Sequence, residues 1–161
     1  MKYLFLALSS FLAIVAQMIA GTNFFLFNYL DLSLILIAYW AIYRNSIQAL
    51  FVGSITGILL DTVLGWPLGY NGFGRTLAAF AIGQASKRLN IEETWIRLLV
   101  ITAASCLSSG SMFILFWIMQ RSVSRVFLGA SLMQAFITAG VGAALFAALD
   151  TYKRIQTFKE N

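Results

Sequence analysis

The chain has 161 residues, of which 60% are hydrophobic, 15% aromatic and 11% charged, with a net charge of +5, one proline, one cysteine and no histidine. A soluble domain carries about a quarter charged residues, and a chain of this composition in water would expose more contiguous apolar surface than a monomer tolerates; a soluble enzyme domain is excluded, and the solvent is a bilayer. At about 1.5 Å of rise per residue against a hydrocarbon core about 30 Å thick, the length allows about six helical spans once turns are subtracted.

Six apolar runs predict an all-α integral membrane bundle of about six transmembrane helices in a single domain, 1–161, with spans at 3–21, 24–43, 47–64, 73–86, 95–119 and 126–149 and a short polar C-terminal tail. The first run follows Lys2 and resembles a signal peptide. Met18 stands third before the candidate cut after Ala20, where a small residue is wanted, so an uncleaved signal anchor is expected. The second run is rich in aromatics, is interrupted by Asp31 and ends at Arg44-Asn45-Ser46. That turn is too short to leave the membrane surface, so the second and third runs make an antiparallel hairpin.

The tract Gly65-Trp66-Pro67-Leu68-Gly69-Tyr70-Asn71-Gly72 breaks helix before the fourth run, which stops at Lys87-Arg88. Leu89 to Thr94 is the most polar internal stretch. The fifth run carries Ser105, Ser108, Ser109 and Ser111, whose hydroxyls can bond the preceding turn without any partner. Gln120 to Arg125 separates it from the sixth run, and Asp150 to Asn161 is the tail.

Lys and Arg are biased to the cytoplasmic side of a membrane protein. With both termini cytoplasmic, the inner side collects Lys2, Arg44, Lys87, Arg88, Arg97, Lys153, Arg154 and Lys159, against Arg75, Arg121 and Arg125 outside. The positive charge is therefore a topology signal. It forms no basic stripe interleaved with aromatics, and nucleic acid is excluded as a partner.

The same composition removes most catalytic chemistry. Without histidine and with Cys106 alone, there is no imidazole base, no Ser/His/Asp or Cys/His couple and no His/Cys metal cluster. Glu92 and Glu93, the adjacent acids, diverge by about 100 degrees on a helix and face no common substrate. Neither a catalytic residue nor a metal or cofactor is expected. The glycine-bearing tract lacks the lysine of a phosphate loop and follows no strand, so it reads as a tight re-entry turn, with Pro67 where no helix must continue.

Small residues mark close approach between helices. Gly53 and Gly57 are four apart in the third run; in the sixth, Ala139, Ala143 and Ala147 form a stripe beside Gly140, Ala144 and Ala148. Internal packing accounts for one such stripe. Two adjacent stripes are more than one neighbour needs, which makes the sixth run a candidate helix-docking face.

Charged groups inside apolar runs cost about 2.5–3.5 kcal/mol each at mid-membrane and are the informative ones. Measured from the cytoplasmic anchors, Asp31 lies about 20 Å up its helix, Asp61 about 22 Å and Arg75 about 18 Å. Gln17 and Gln134 fall at about 22 and 24 Å. Five polar side chains from five runs thus project to one layer. In one arrangement Asp31 caps the second helix, Asp61 caps the irregular tract and Arg75 snorkels outward. In the other, Asp61 and Arg75 form an ion pair to which Asp31 or Asn71 adds a hydrogen bond; an unpaired Arg and Asp at similar depth is the costlier arrangement, so this second one is expected.

From Gly53 through Gly57, Asp61, Gly65, Pro67, Gly69 and Asn71 to Gly72, the sequence resembles the MreD family of bacterial rod shape-determining proteins. Leu30-Asp31-Leu32 is similar to the family's Asp-Leu at the start of the second span, although Asn28 and Tyr29 stand where a proline is often found. The resemblance implies a non-enzymatic scaffold subunit of the rod (elongation) complex in the bacterial cytoplasmic membrane, supporting cell shape and lateral peptidoglycan synthesis. Its implied partners are MreC above all, then MreB, RodA and a class B penicillin-binding transpeptidase, besides membrane lipid. The implied fold is similar to the six-helix substrate-binding subunits of energy-coupling-factor transporters. The residues expected to organise structure and partners are Asp31, Asp61, Arg75, Asn71, Gly57, Gly65, Pro67 and Gly69.

The rival reading is a small-molecule-binding subunit of such a transporter, favoured by Phe24, Phe25, Phe27, Trp66 and Tyr70 near the polar layer and by the small pair Ala16 and Ala20. An intramembrane enzyme built on Asp31 and Asp61 is disfavoured by Arg75 at the same height.

Overall fold

A computed structural model describes residues 8–17, 30–89, 93–119 and 125–160, and every regular element among them is α-helical. In chain order these are α1 (Leu8–Gln17), α2 (Leu32–Tyr43), α3 (Ser46–Leu64), α4 (Tyr70–Arg88), α5 (Thr94–Ile118) and α6 (Arg125–Glu160). Three of them, Ser46–Leu64, Trp95–Ile118 and Gly129–Tyr152, are long and apolar enough to cross a membrane. The all-α membrane bundle expected from composition is the architecture found. The cut after Ala20, Phe24, Phe25, Phe27, Glu92 and Arg121 lie outside the described residues.

Local chemistry sets most helix ends. Asn45 opens α3 by accepting the Ile47 N–H at 3.1 Å, so Arg44-Asn45-Ser46 is the tight connection expected between α2 and α3. At the other end Gly65 takes the left-handed conformation (φ 66°). Its N–H reaches the Thr62 carbonyl at 3.4 Å and the Trp66 N–H reaches the Asp61 carbonyl at 2.9 Å, a Schellman closure with Pro67 following.

Three boundaries differ from expectation. The second helix begins at Leu32, with Asp31 as its cap rather than an interruption within it. Helix α4 begins at Tyr70, three residues before the apolar run starts, because a carboxylate from α3 supplies its missing cap. Helix α6 continues through Asp150 to Glu160, so its 36 residues reach about 54 Å and the expected tail is helical.

Helix α4 lies at the centre, packed on α2, α3 and α5, while α6 packs on α5 and touches α2. Lipid tails are as apolar as leucine, so burial alone does not hold these helices together; close packing does. A side chain at Gly57 would collide with the backbone of Gly72, and one at Gly53 would meet the Arg75 carbonyl oxygen at 2.8 Å. A side chain at Gly74 would meet Ser108 and Ser111 of α5, and one at Gly83 would meet Ser46. Ser54 and Thr76 add a hydrogen bond of 2.8 Å across the α3–α4 seam. The core between α2, α3, α4, α5 and α6 is filled by Leu34, Ile37, Val52, Ile82, Ile101 and Phe146, whereas Phe51, Phe80, Leu99 and Phe136 face outward.

Candidate functional site

Asp31 is the hub of a buried polar cluster joining three helices. Its Oδ1 accepts the Leu34 N–H at 3.0 Å and the Ser33 hydroxyl at 2.7 Å, which is the capping role. The same oxygen accepts Arg75 Nη1 from α4 at 2.8 Å, in an ion pair whose two side chains are about 95% buried. From α6, Gln134 Nε2 donates to Oδ2 at 3.3 Å, and the Asp31 N–H donates to Thr138 Oγ1 at 3.0 Å. Capping and pairing, treated as alternatives in the sequence, are performed by one carboxylate.

Asp61 does different work. Fully buried, its carboxylate accepts the Gly69 N–H at 2.8 Å, the Asn71 N–H at 3.0 Å and the Asn71 Nδ2 at 2.8 Å, with the Gly72 N–H at 3.5 Å. A helix N-terminus presents unpaired N–H groups and a partial positive charge. Here the carboxylate of the preceding helix satisfies them across the turn. Gly69, at φ 101°, provides the backbone path that brings these donors round the oxygen atoms.

The expected Asp61–Arg75 pair is therefore corrected: Arg75 pairs with Asp31. The reason is that Asp61 is saturated by donors at the very start of α4, while Arg75 sits one turn further along and is turned towards α2. Asn71 does support Asp61 as anticipated. Gln17 Oε1 and Arg75 Nε, from two residues expected in the layer, are buried without a hydrogen-bond partner among the described residues.

The motif residues fall around these clusters. Gly57 permits the α3–α4 contact, Gly65 and Pro67 end α3, Gly69 opens α4, and Asp61 with Asn71 locks the turn. Trp66 and Tyr70 pack on Phe116 of α5, with ring centroids 5.7 and 5.0 Å apart, and the Tyr70 hydroxyl donates to the Met119 sulfur at 2.6 Å.

A second polar cluster was not singled out from sequence. Arg97, expected to mark the membrane surface, is buried and pairs with Asp150. The Tyr43 hydroxyl donates to the other Asp150 oxygen at 2.8 Å, and the Arg97 guanidinium lies 5.9 Å over the Phe146 ring. The available signal was that Arg97, the third residue of the fifth run, and Asp150, directly after the sixth, are opposite in sign and fall at the same end of the bundle. Asp150 lies 12 residues from Thr138, so the two clusters brace α6 about 18 Å apart.

The stripes on α6 separate by face. Ala139 and Ala143 are buried, and Ala147 is half-buried; Gly140, Ala144 and Ala148 are exposed, and a side chain at Gly140 would meet nothing within 4 Å. Internal packing claims the first stripe and leaves the second open. Among the described residues, no group of three His, Cys, Asp or Glu side chains could hold a metal ion.

The family model described as rod shape-determining protein MreD matches residues 1–149. No curated protein and no solved structure matches the chain.

Proposed function

The chain belongs to the MreD family of rod shape-determining membrane proteins, and from that premise we propose that it is a non-enzymatic scaffold whose α6 docks the membrane segment of MreC. The observation that carries this reading is the split of the small-residue stripes: Ala139 and Ala143 close the bundle, while Gly140, Ala144 and Ala148 present a smooth outward strip on which a second helix can approach closely. The two charge clusters brace α6 against α2, α4 and α5 and so hold that strip in a fixed place. The described intramembrane carboxylates, at Asp31 and Asp61, are engaged in capping and pairing, which suits a scaffold.

In this reading the protein supports cell shape and lateral peptidoglycan synthesis beside MreB, RodA and a class B penicillin-binding transpeptidase. It lies in the bacterial cytoplasmic membrane with both termini cytoplasmic. Discounting Arg75 and Arg97, which ion pairs hold, leaves seven cationic residues expected inside against two outside, and the charge asymmetry supports that orientation.

The test is co-purification of MreC with Gly140→Leu/Ala144→Leu. Both positions are exposed, so the melting temperature should be unchanged while MreC recovery falls at least tenfold; unchanged recovery overturns the assignment of this face. A second reading, the small-molecule-binding transporter subunit, is favoured by the donor at Arg75 Nε and the acceptor at Gln17 Oε1, which have no hydrogen-bond partner among the described residues. A ligand that raises the melting temperature of the wild type but not of Arg75→Gln would support it over the scaffold.

A further inference from the structure

Near the C-terminal end of α4 an open groove of about 590 Å³ is lined by Phe80, Gln84, Ala85, Arg88 and Leu89. Phe80, Gln84 and Arg88 are spaced by four and form one stripe along the helix, so an aromatic ring, an amide and a guanidinium follow one another at about 6 Å steps towards the basic end. We propose that this groove is a binding site for an anionic phospholipid. The order of side chains matches the order of polarity along a lipid. Arg88 meets the phosphate at the membrane surface with Leu89 beside it at the helix end, Gln84 one turn deeper donates to a glycerol ester carbonyl, and Phe80 a further turn in lies along the upper acyl chain.

Charge complementarity selects an anionic lipid over a zwitterionic one. Lys87 and Arg88 occupy the last turn, and α4 carries no acidic residue. Their two full charges outweigh the roughly half negative charge of the helix end. Phe80 is 52% exposed, surface that an acyl chain would cover. Basic grooves beside transmembrane helices are a recurrent place for lipid headgroups.

The full chain in neutral detergent would be offered mixed vesicles of phosphatidylcholine and phosphatidylglycerol, and the retained lipid read by native mass spectrometry. The wild type should retain phosphatidylglycerol in preference to phosphatidylcholine. Arg88→Gln should lose about fivefold of that preference, the effect of one cation near the surface, and Phe80→Ser should lower retention of the long-chain lipid. Lys87→Gln, about 100 degrees round the helix, should lose clearly less. An unchanged preference in Arg88→Gln overturns the site. So does an equal loss in Lys87→Gln and Arg88→Gln, which would mean diffuse surface charge, or displacement of the lipid by soluble glycerol phosphate at matching concentration, which would mean that the apolar wall contributes nothing. All three substitutions are at exposed or groove-lining positions and should leave the melting temperature unchanged.

Discussion

Asp31 and Asp61 are the same residue type at nearly the same height, yet one binds a guanidinium and the other binds backbone N–H groups. The difference predicts different responses to substitution. Breaking a buried ion pair by removing one partner costs about 3–5 kcal/mol, so Asp31→Asn and Arg75→Gln should each strongly lower stability in a detergent denaturation series. Their double mutant should show a coupling of at least about 1 kcal/mol. Asp61→Asn combined with Arg75→Gln should be nearly additive, and comparable coupling there would contradict the pairing. Asp61→Leu leaves several donors at the start of α4 without an acceptor, at about 1–3 kcal/mol for each unsatisfied group. Hydrogen exchange should then accelerate at Gly69, Asn71 and Gly72, while Asp31→Asn leaves those amides protected. Sequence arithmetic placed both acids in one layer because helical rise is fixed. It could not assign their partners, because that depends on which way each helix is rotated.

At the level of elements, the tract between α3 and α4 was readable as a break, since Gly65, Pro67 and Gly69 cannot continue a helix at low cost. The start of α4 was not readable. Tyr70-Asn71-Gly72 resembles loop composition, and its cap comes from Asp61, eight or more residues upstream. The α3–α4 seam yields a sharp prediction. Overpacking usually costs about 1–3 kcal/mol, and the neighbour of a methyl group at Gly57 is backbone, which cannot move aside by rotamer change. Gly57→Ala should therefore fall at or above the top of that range in a thermal or denaturant titration. Gly65→Ala meets no steric obstacle and should cost only the left-handed backbone penalty of about 1–2 kcal/mol. Equal losses at the two positions would show that helix contact is not what Gly57 serves.

For the whole molecule, α6 is the element on which the fold and the proposed function converge. It is held at one level by Gln134 and Thr138 on Asp31, and at another by Asp150 on Arg97 and Tyr43. Asp150 is a third exposed, so solvent shares its charge, and Asp150→Asn should cost about 1–3 kcal/mol, less than Asp31→Asn. The melting temperature should rank the two variants in that order; a larger loss at Asp150 would shift the main brace to the other end of the helix. Composition and hydropathy determined that the chain is a membrane bundle, how many apolar runs it has and where most of them end, because transfer into lipid is summed residue by residue and needs no partner. The small-residue spacing likewise marked α6 as a place of close approach. Only the tertiary structure decided that Arg75 belongs to Asp31, that Arg97 is a buried partner of Asp150 rather than a surface marker, and which stripe of α6 faces outward. Those outcomes rest on helix rotation and depth, which short-range directional contacts select among arrangements of nearly equal hydrophobic energy.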